Sequence, residues 1–325
     1  NWQLATPIVG VGTSASGFDT AAVASPSLFK FNNNQSVGNG WSTITATNNT
    51  NLEIGNGYRM MVLGDRNANI NNNESHTMNS CVTLKATGNL AIGTIVFDSK
   101  VLNSTTNQAT NGYSLIGNPY VNTVNWSTLS KEGLTESYYV WDPNMGTDEQ
   151  RGRYVVYNSA TGSSNIASGV NGFIAPGQAF FVQNKILGIA GKLTFQEADK
   201  VGNTNVNQGS RTQPILVSRL DMSVYEASEL STGGYPIDAA VAVFDAAFNN
   251  AIDNTDVLKL SSGTENFSIT NNNKFWAIDT RGLISDKDEV FLNLEDFKAN
   301  KNYSFRIQFS NFDTQFTPFL VDTHL

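Results

Sequence analysis

Histidine and cysteine are scarce in this chain of 325 residues, which contains two His and one Cys. Because Cys81 is alone, it can form no disulfide within the chain and no Cys-rich metal site. Cys81 lies in an alternating strand pattern, where a thiol more often packs as a small apolar side chain than acts as a nucleophile. His76 and His324 lie in polar or terminal sequence, which argues against a His-based triad or zinc site.

Charge is also sparse, since charged residues make up 15% of the chain and give a formal net charge of −8. The Lys and Arg residues do not cluster, whereas nucleic-acid binding requires clustered positive charge. We therefore expect no nucleic-acid partner. Asn, Ser, Thr and Gly must cover most of the surface instead, and this composition is typical of extracellular β-proteins.

Long apolar runs are missing as well. No run approaches the roughly 20 residues that a membrane-spanning helix needs, and no signal peptide is recognisable, so we expect no membrane span. The chain begins at Asn1 directly inside a predicted strand. We therefore expect it to be a fragment or a processed form of a larger protein.

The sequence does contain many short aromatic and β-branched runs, each stopped by Asn-Pro, Asp-Pro or Pro-Gly. The clearest series, over 112–182, includes Gly117-Asn-Pro-Tyr120, Tyr139-Val-Trp-Asp-Pro143 and Ile174-Ala-Pro-Gly-Gln-Ala-Phe-Phe-Val182. Half-buried strands joined by tight turns have this pattern. The predicted fold class is all-β, with β-sandwich or jelly-roll-like packing.

The same order of runs occurs twice in the first part of the chain, which indicates two degenerate β-repeats. In each copy a glycine, Gly57 or Gly177, precedes the closing strand, where we expect a positive φ. The matched segments are 2–7 with 113–119, 27–31 with 137–141, 41–45 with 154–158, 54–62 with 174–182, and 82–86 with 192–196.

We predict two domains from these patterns. A duplicated β-sandwich module covers 1–205, with copies at about 1–100 and 111–200, and a polar linker follows at 206–213. A second β-sandwich covers 214–325 and is expected to be truncated, because its last strand has no hairpin partner. The residues Trp2, Trp41, Trp126 and Trp141 are interpreted as packing residues, with an exposed platform for sugar stacking as the alternative.

The motifs of 112–182 resemble a module that is common in large secreted surface proteins of the Bacteroidota. There it precedes a carboxy-terminal sorting domain that the type IX secretion system reads. The segments 248–260 and 319–322 are similar to the part that follows the module in those proteins. The resemblance implies an adhesin-like extracellular protein attached to the outer membrane, with the secretion and attachment machinery as a partner through a domain beyond Leu325.

One short pattern adds a modification site to this resemblance. The run Asp19-Thr20-Ala21 is similar to the O-glycosylation pattern of the same bacteria. Thr20 is therefore a candidate glycosylation residue, although a Thr in a Ser- and Ala-rich loop is more often an ordinary loop residue.

Asp253 and Asp256 form a candidate metal site. Their run, Asp253-Asn-Thr-Asp256, offers oxygen ligands that suit calcium but lacks a complete calcium-loop pattern. A helix N-cap or an Asx turn is the alternative interpretation. The other acidic residues are scattered, without the paired carboxylates or the nucleophile and base that catalysis needs.

We predict that the chain is not an enzyme and has no catalytic residues and no cofactor other than this candidate calcium ion. The predicted function is a non-enzymatic structural or adhesive region of a surface protein, in contact with glycans or protein. The alternative is a carbohydrate-binding accessory region of an extracellular hydrolase.

Overall fold

The computed structural model describes residues 2–5, 8–9, 28–44, 52–60, 89–103, 112–147, 150–166, 170–202, 217–312, 316–317 and 319–322. These residues are mostly β-strand and turn, with one short α-helix among them, so the predicted all-β class is confirmed. The chain forms two compact units. Unit 1 contains 1–143, 154–159 and 169–210, and unit 2 contains 144–153, 160–168 and 211–325. Unit 2 thus includes two segments that lie inside the predicted first domain, while the predicted linker lies outside the described residues.

Sixteen of the described strands precede residue 203. They are β1 Trp2–Ala5, β2 Ile8–Val9, β3 Leu28–Phe31, β4 Trp41–Thr43, β5 Gly57–Met60, β6 Asn89–Leu90, β7 Ile95–Phe97, β8 Tyr113–Gly117, β9 Val124–Asn125, β10 Ser130–Glu132, β11 Leu134–Thr147, β12 Gln150–Asn158, β13 Ser163–Ser164, β14 Phe173–Ile174, β15 Ala179–Asn184 and β16 Lys192–Phe195, with 3-10 helices at Trp126–Thr128 and Glu197–Asp199.

Two sheets in this part of the chain have the same strand order. The first is ordered β1-β5-β3-β4, and the second is ordered β8-β15-β11-β12, with β13 added at its end. In the first sheet Leu28 pairs with Met60, and in the second Tyr138 pairs with Val182. Strands that the sequence repeat matches therefore occupy matching positions in the two sheets.

The strand register moves one predicted match by two residues. Ala5 pairs with Gly57 and Gly117 pairs with Ala179, so Gly55 rather than Gly57 corresponds to Gly177. Gly55 and Gly177 have φ angles of 85° and 71°, whereas Gly57 has no positive φ and begins β5. The prediction of a positive φ at Gly57 was therefore wrong. A shift of two residues leaves every strand side chain on the same face, so the apolar pattern could not reveal it.

Both faces of the second sheet are buried. Phe181 faces the first sheet, where its ring centroid lies 5.0 Å from that of Phe31 and 6.3 Å from that of Trp41. On the opposite face, Tyr138 and Phe180 join a core with Trp126. Neighbouring apolar residues such as Phe180 and Phe181 thus point to opposite sides, which explains the continuous apolar runs of this segment.

Three smaller sheets complete the described strands before residue 203. They are β10-β16-β7, β14-β9 and β2-β6. The sheet β10-β16-β7 contributes Phe97, Leu193 and Phe195 to the core that contains Trp126. Unit 1 is therefore layered, with strands on both sides of its central sheet.

The described strands after residue 217 form a curled mixed sheet in unit 2. Its order is β22-β20-β21-β18-β17-β23, with β19 also paired to β21, and the β18–β21 pair is parallel. Phe267 on β20 contacts Phe305 on the edge strand β23, with ring centroids 5.8 Å apart, so the sheet curls around its own core. The elements are β17 Ser218–Glu226, α1 Ala227–Thr232, β18 Asp238–Phe244, β19 Val257–Leu258, β20 Asn266–Asn271, β21 Lys274–Arg281, β22 Phe291–Glu295 and β23 Tyr303–Ser310.

Candidate functional site

An open cleft of about 530 Å³ lies in unit 2 beside the β20–β21 hairpin. Its volume falls within the range of small-molecule sites. Most of the lining side chains carry amide or charged groups, and one is aromatic. The lining residues are Asn250, Thr270, Asn271, Asn272, Asn273, Arg281, Glu289 and Phe291.

The asparagine run forms the turn of this hairpin. Asn271 pairs with Lys274, so Asn272 and Asn273 are the two turn residues, and their φ angles are 51° and 58°. Two-residue hairpin loops favour this left-handed conformation, and Asn adopts it more readily than most residues. The amides of Asn272 and Asn273 are consequently exposed at the rim of the cleft.

The positively charged group of the cleft, the Arg281 side chain, is held by two contacts. The Arg281 guanidinium pairs through Nε with Oδ2 of Asp279 at 2.6 Å and donates to the backbone carbonyl of Glu289 at 2.7 Å. Asp279 is 1% exposed and also accepts from Nδ2 of Asn271. The charge of Arg281 is therefore balanced, and the carboxylate of Glu289 makes the cleft slightly negative. Phe291 adds a ring that is 56% exposed.

Asp253 and Asp256 are brought together in a neighbouring loop of unit 2, where hydrogen bonds occupy both carboxylates. Asp253 accepts from the amide of Thr255 at 2.7 Å, from its hydroxyl at 2.6 Å and from Nδ2 of Asn249 at 3.0 Å. Asp256 accepts from the amide of Asp253 at 2.8 Å and from the amide and hydroxyl of Thr280 at 2.7 and 2.9 Å. This geometry matches the predicted Asx-turn alternative, and calcium binding stays a prediction.

The pKa values of these two carboxyl groups shift in opposite directions. Burial raises the pKa of Asp256 against the opposing hydrogen bonds from Thr280 and Asp253. Burial also acts to raise the pKa of Asp253, but the hydrogen bonds from Thr255 and Asn249 together lower it. Among the residues that the structure describes, no group of three or more His, Cys, Asp or Glu could hold a metal ion.

The described tryptophans of unit 1 serve packing. Trp126 is fully buried, and its Nε1 donates to the carbonyl of Glu136 at 2.8 Å. Trp41 and Trp141 are half-buried, and the guanidinium of Arg59 lies over both rings at 5.5 and 5.1 Å. They therefore form a cation–π stack. The side chain of Trp2 lies outside the described residues.

The motifs that carry the family resemblance have structural roles. The Asn118 side chain of Gly117-Asn-Pro-Tyr120 donates to the carbonyls of Asn122, Ile174 and Ala175 and accepts from the amide of Tyr120. In the motif at 174–182 the Gln178 side chain accepts from the amide of Ala175 at 2.9 Å. These contacts fix the turns between strands, and neither motif contributes to the cleft.

A second polar feature of unit 2 is a buried charge cluster made of Arg153, Asp238, Lys259 and Glu265. Each of the four side chains is at most 3% exposed. Nζ of Lys259 lies 2.5 Å from Oδ1 of Asp238, and Nη2 of Arg153 lies 3.4 Å from Oε2 of Glu265. Sequence reasoning missed this cluster because its members are distributed over more than 100 residues of the chain.

Several predicted residues lie outside the described residues, namely Thr20, His76, Cys81 and His324. Their predicted roles stay predictions. Within the described part of the chain, no helix combines the length and apolar character needed to cross a membrane.

Comparison with known proteins adds a family. The model of DUF8693, described as a domain of unknown function, matches residues 9–325. The chain belongs to this family. Because one family model covers almost the whole chain, both units are part of the family's sequence pattern. No curated protein and no solved structure gives a significant match.

Proposed function

We propose that this chain is a non-enzymatic structural and adhesive region of a secreted bacterial protein anchored to the cell surface. The open cleft of unit 2 carries the adhesive part, because it combines exposed amides with an exposed aromatic ring. The structural part is supported by the central sheet of unit 1, whose two faces are buried by aromatic side chains. Such a scaffold holds polar loops in fixed positions.

The cleft suits a neutral polar ligand such as a surface glycan. Amide groups both donate to and accept from sugar hydroxyls, and an exposed phenyl ring covers the apolar face of a sugar ring. Arg281 is already paired with Asp279, and Glu289 adds negative charge. An anionic ligand would therefore gain little from Arg281 and would be repelled by Glu289.

A glycan array with the purified chain tests this function. We expect binding to a neutral glycan, and we expect Phe291→Ala to weaken it by about tenfold or more through loss of the ring contact. Phe275→Ala is the matched control, because Phe275 is 38% exposed on β21, on the other side of β20 from Phe291, but is not a lining residue of the cleft. Equal losses in both variants, or no binding to any glycan on the array, would contradict the proposal.

A carbohydrate-binding accessory region of an extracellular hydrolase is the second candidate, and the same cleft favours it. The two candidates differ in the protein to which the region belongs. We would isolate the protein from its native source, measure its mass, sequence its termini and assay hydrolysis of the glycan found on the array. Hydrolysis by the native protein supports the accessory role, and an inactive native protein supports the adhesive role.

Export by the type IX secretion system is part of the proposal and is supported by the resemblance of the 112–182 motifs. It places the protein outside the cell on the outer membrane, with the secretion and attachment machinery as a partner. Protease treatment of intact cells should degrade the protein in a wild-type strain and spare it in a strain without that secretion system. Protection in both strains would contradict this part of the proposal.

A further inference from the structure

Lys259 and Asp238 lie in contact inside unit 2. Nζ of Lys259 is 2.5 Å from Oδ1 of Asp238, and the two side chains are 3% and 1% exposed. We propose that these side chains condense to form an isopeptide bond that cross-links unit 2. This inference goes beyond the proposed function and does not depend on ligand binding in the cleft.

Burial favours the condensation. An ion pair without water is expensive, because each charge loses its hydration, whereas a neutral amide loses much less. Burial also lowers the pKa of Lys259 against the opposing effect of Asp238, which increases the fraction of neutral, nucleophilic amine. The same contact at the surface would remain a hydrated ion pair.

Backbone groups orient both reactants. Oδ2 of Asp238 accepts from the amide of Phe267 at 2.8 Å, and Oδ1 accepts from the amide of Ala239 at 2.9 Å. Nζ of Lys259 donates to the carbonyl of Ala239 at 3.0 Å. These contacts hold the amine against the carboxyl group, and the two amide donors would stabilise negative charge that develops on the carboxyl oxygens during attack.

The reaction balances without any other reactant. A proton moves from the ammonium group of Lys259 to the carboxylate of Asp238, which gives a neutral amine and a neutral acid. The amine nitrogen attacks Cγ of Asp238, a C–N bond forms, and a C–O bond breaks. A second proton from the nitrogen leaves with the hydroxyl group as water. The pair begins and ends with zero net charge.

Glu265 is a positioning residue in this scheme. Arg153 interacts electrostatically with both Asp238 and Glu265. The charge of Arg153 is shared between these two carboxylates, so Arg153 competes less strongly with Lys259 for Asp238. The Glu265→Gln variant keeps the shape of the side chain but removes its charge, so Arg153 interacts more strongly with Asp238. We therefore expect this variant to form the bond more slowly.

Intact mass measurement of the purified wild-type chain is the decisive test. We expect a mass lower by one water molecule than the sequence requires, and tandem mass spectrometry should find peptides joined through Lys259 and Asp238. Lys259→Met should have the full mass of its sequence. Asp238→Asn should lose ammonia in place of water, because an amide releases ammonia on the same attack.

A second pair provides a control within the same molecule. Nζ of Lys301 also lies 2.5 Å from a carboxylate oxygen, that of Glu226, but these side chains are 21% and 26% exposed. We expect no link there. A wild-type chain with its full mass overturns the proposal, and so does a water loss that maps elsewhere or persists in Lys259→Met. Glu265→Gln should link several-fold more slowly in a time course after synthesis, and an unchanged rate removes Glu265 from the scheme.

Discussion

The two units bury different kinds of polar groups. In unit 1 the buried side chains that fix turns are neutral amides that bind backbone carbonyls, as Asn118 and Asn184 do. In unit 2 the buried polar side chains include Arg153, Asp238 and Glu265. Among the charged residues that are buried in the described part of the chain, unit 1 contributes Asp199, and unit 2 also contributes Asp256 and Asp279.

This difference has an energetic consequence. An amide is satisfied by any nearby backbone carbonyl or N–H, so each contact in unit 1 is nearly independent of the others. A buried charge needs a partner of opposite sign, and removal of one member leaves the other uncompensated. We therefore expect unit 1 to be sensitive to lost aromatic volume and unit 2 to be sensitive to lost charge partners.

The largest expected effect is that of Asp238→Ala. The substitution leaves Lys259 buried without its carboxylate and removes the acceptor for the amide of Phe267. We expect the free energy of unfolding of unit 2 to fall by about 4 kcal/mol. Denaturant titration gives the loss, and hydrogen exchange should place it in the peptides of unit 2. Asp286→Ala is the exposed control, and a loss of similar size there would refute the role of burial.

Phe181→Ala tests the other side of the comparison. The Phe181 ring contacts Phe31, Trp41 and Tyr154 in the interface between the two related sheets. We expect the cavity to lower the free energy of unfolding of unit 1 by about 3 kcal/mol. Phe319→Ala is the control, because Phe319 is 83% exposed and should change stability little. A small effect of Phe181→Ala would mean that the interface is not a packed core.

Alkaline pH should also affect the stability of the two units differently. Burial raises the pKa of Tyr113 to about 12 and raises the pKa values of Tyr138 and Tyr139, all in unit 1. An unfolded tyrosine ionises near pH 10. Between that value and the folded pKa the unfolded chain binds fewer protons, so the free energy of unfolding falls as pH rises. The stability from these groups is fully present below about pH 10.

The contribution of Lys259 to the pH dependence of stability has the opposite sign. In any chain whose Lys259 amine is not yet linked to Asp238, burial lowers the folded pKa of Lys259, so in the window up to the unfolded value of about 10.4 the unfolded chain binds more protons and stability rises with pH. In a Trp276→Phe variant every remaining Trp belongs to unit 1, so urea titrations followed by Trp fluorescence report that unit alone. We expect the free energy of unfolding of unit 1 to decline between pH 10 and 12. A constant midpoint would refute the contribution of the tyrosines.

The sequence was sufficient for the repeat but not for the buried charges. Phe180, Phe181 and the matching residues of the first copy lie in apolar runs, and such runs mark strands that are buried on both faces. These runs occur in the same order in both copies, so the repeat is visible in the sequence. The run 237–244 has the pattern of an alternating strand, and nothing in this pattern indicates that Asp238 is buried. In the structure all seven residues of Asp238–Phe244 are buried, because β18 lies between β17 and β21 in the middle of the sheet. A strand's place in its sheet depends on distant pairings, which local patterns do not contain.

The candidate cleft, too, can be predicted only in part from the sequence. The Asn271-Asn-Asn-Lys274 turn can be recognised from local sequence, since consecutive asparagines favour a two-residue hairpin loop. Asn250, Arg281 and Glu289 join that turn only through tertiary structure. Asp253 and Asp256, by contrast, can be recognised as a pair from local sequence because they are three residues apart.

The smallest expected effect separates burial from pairing. Nζ of Lys192 lies 2.6 Å from Oε1 of Glu132 in unit 1, almost the same distance as in the Lys259–Asp238 pair, but these side chains are 43% and 63% exposed. Water stabilises each charge alone, so we expect Lys192→Ala to lower the free energy of unfolding by less than about 1 kcal/mol. The effect should shrink further in 0.5 M salt in a denaturant titration, because exposed ion pairs are screened at about that ionic strength. A loss as large as that of Asp238→Ala would mean that contact distance, and not burial, sets the contribution of ion pairs in this protein.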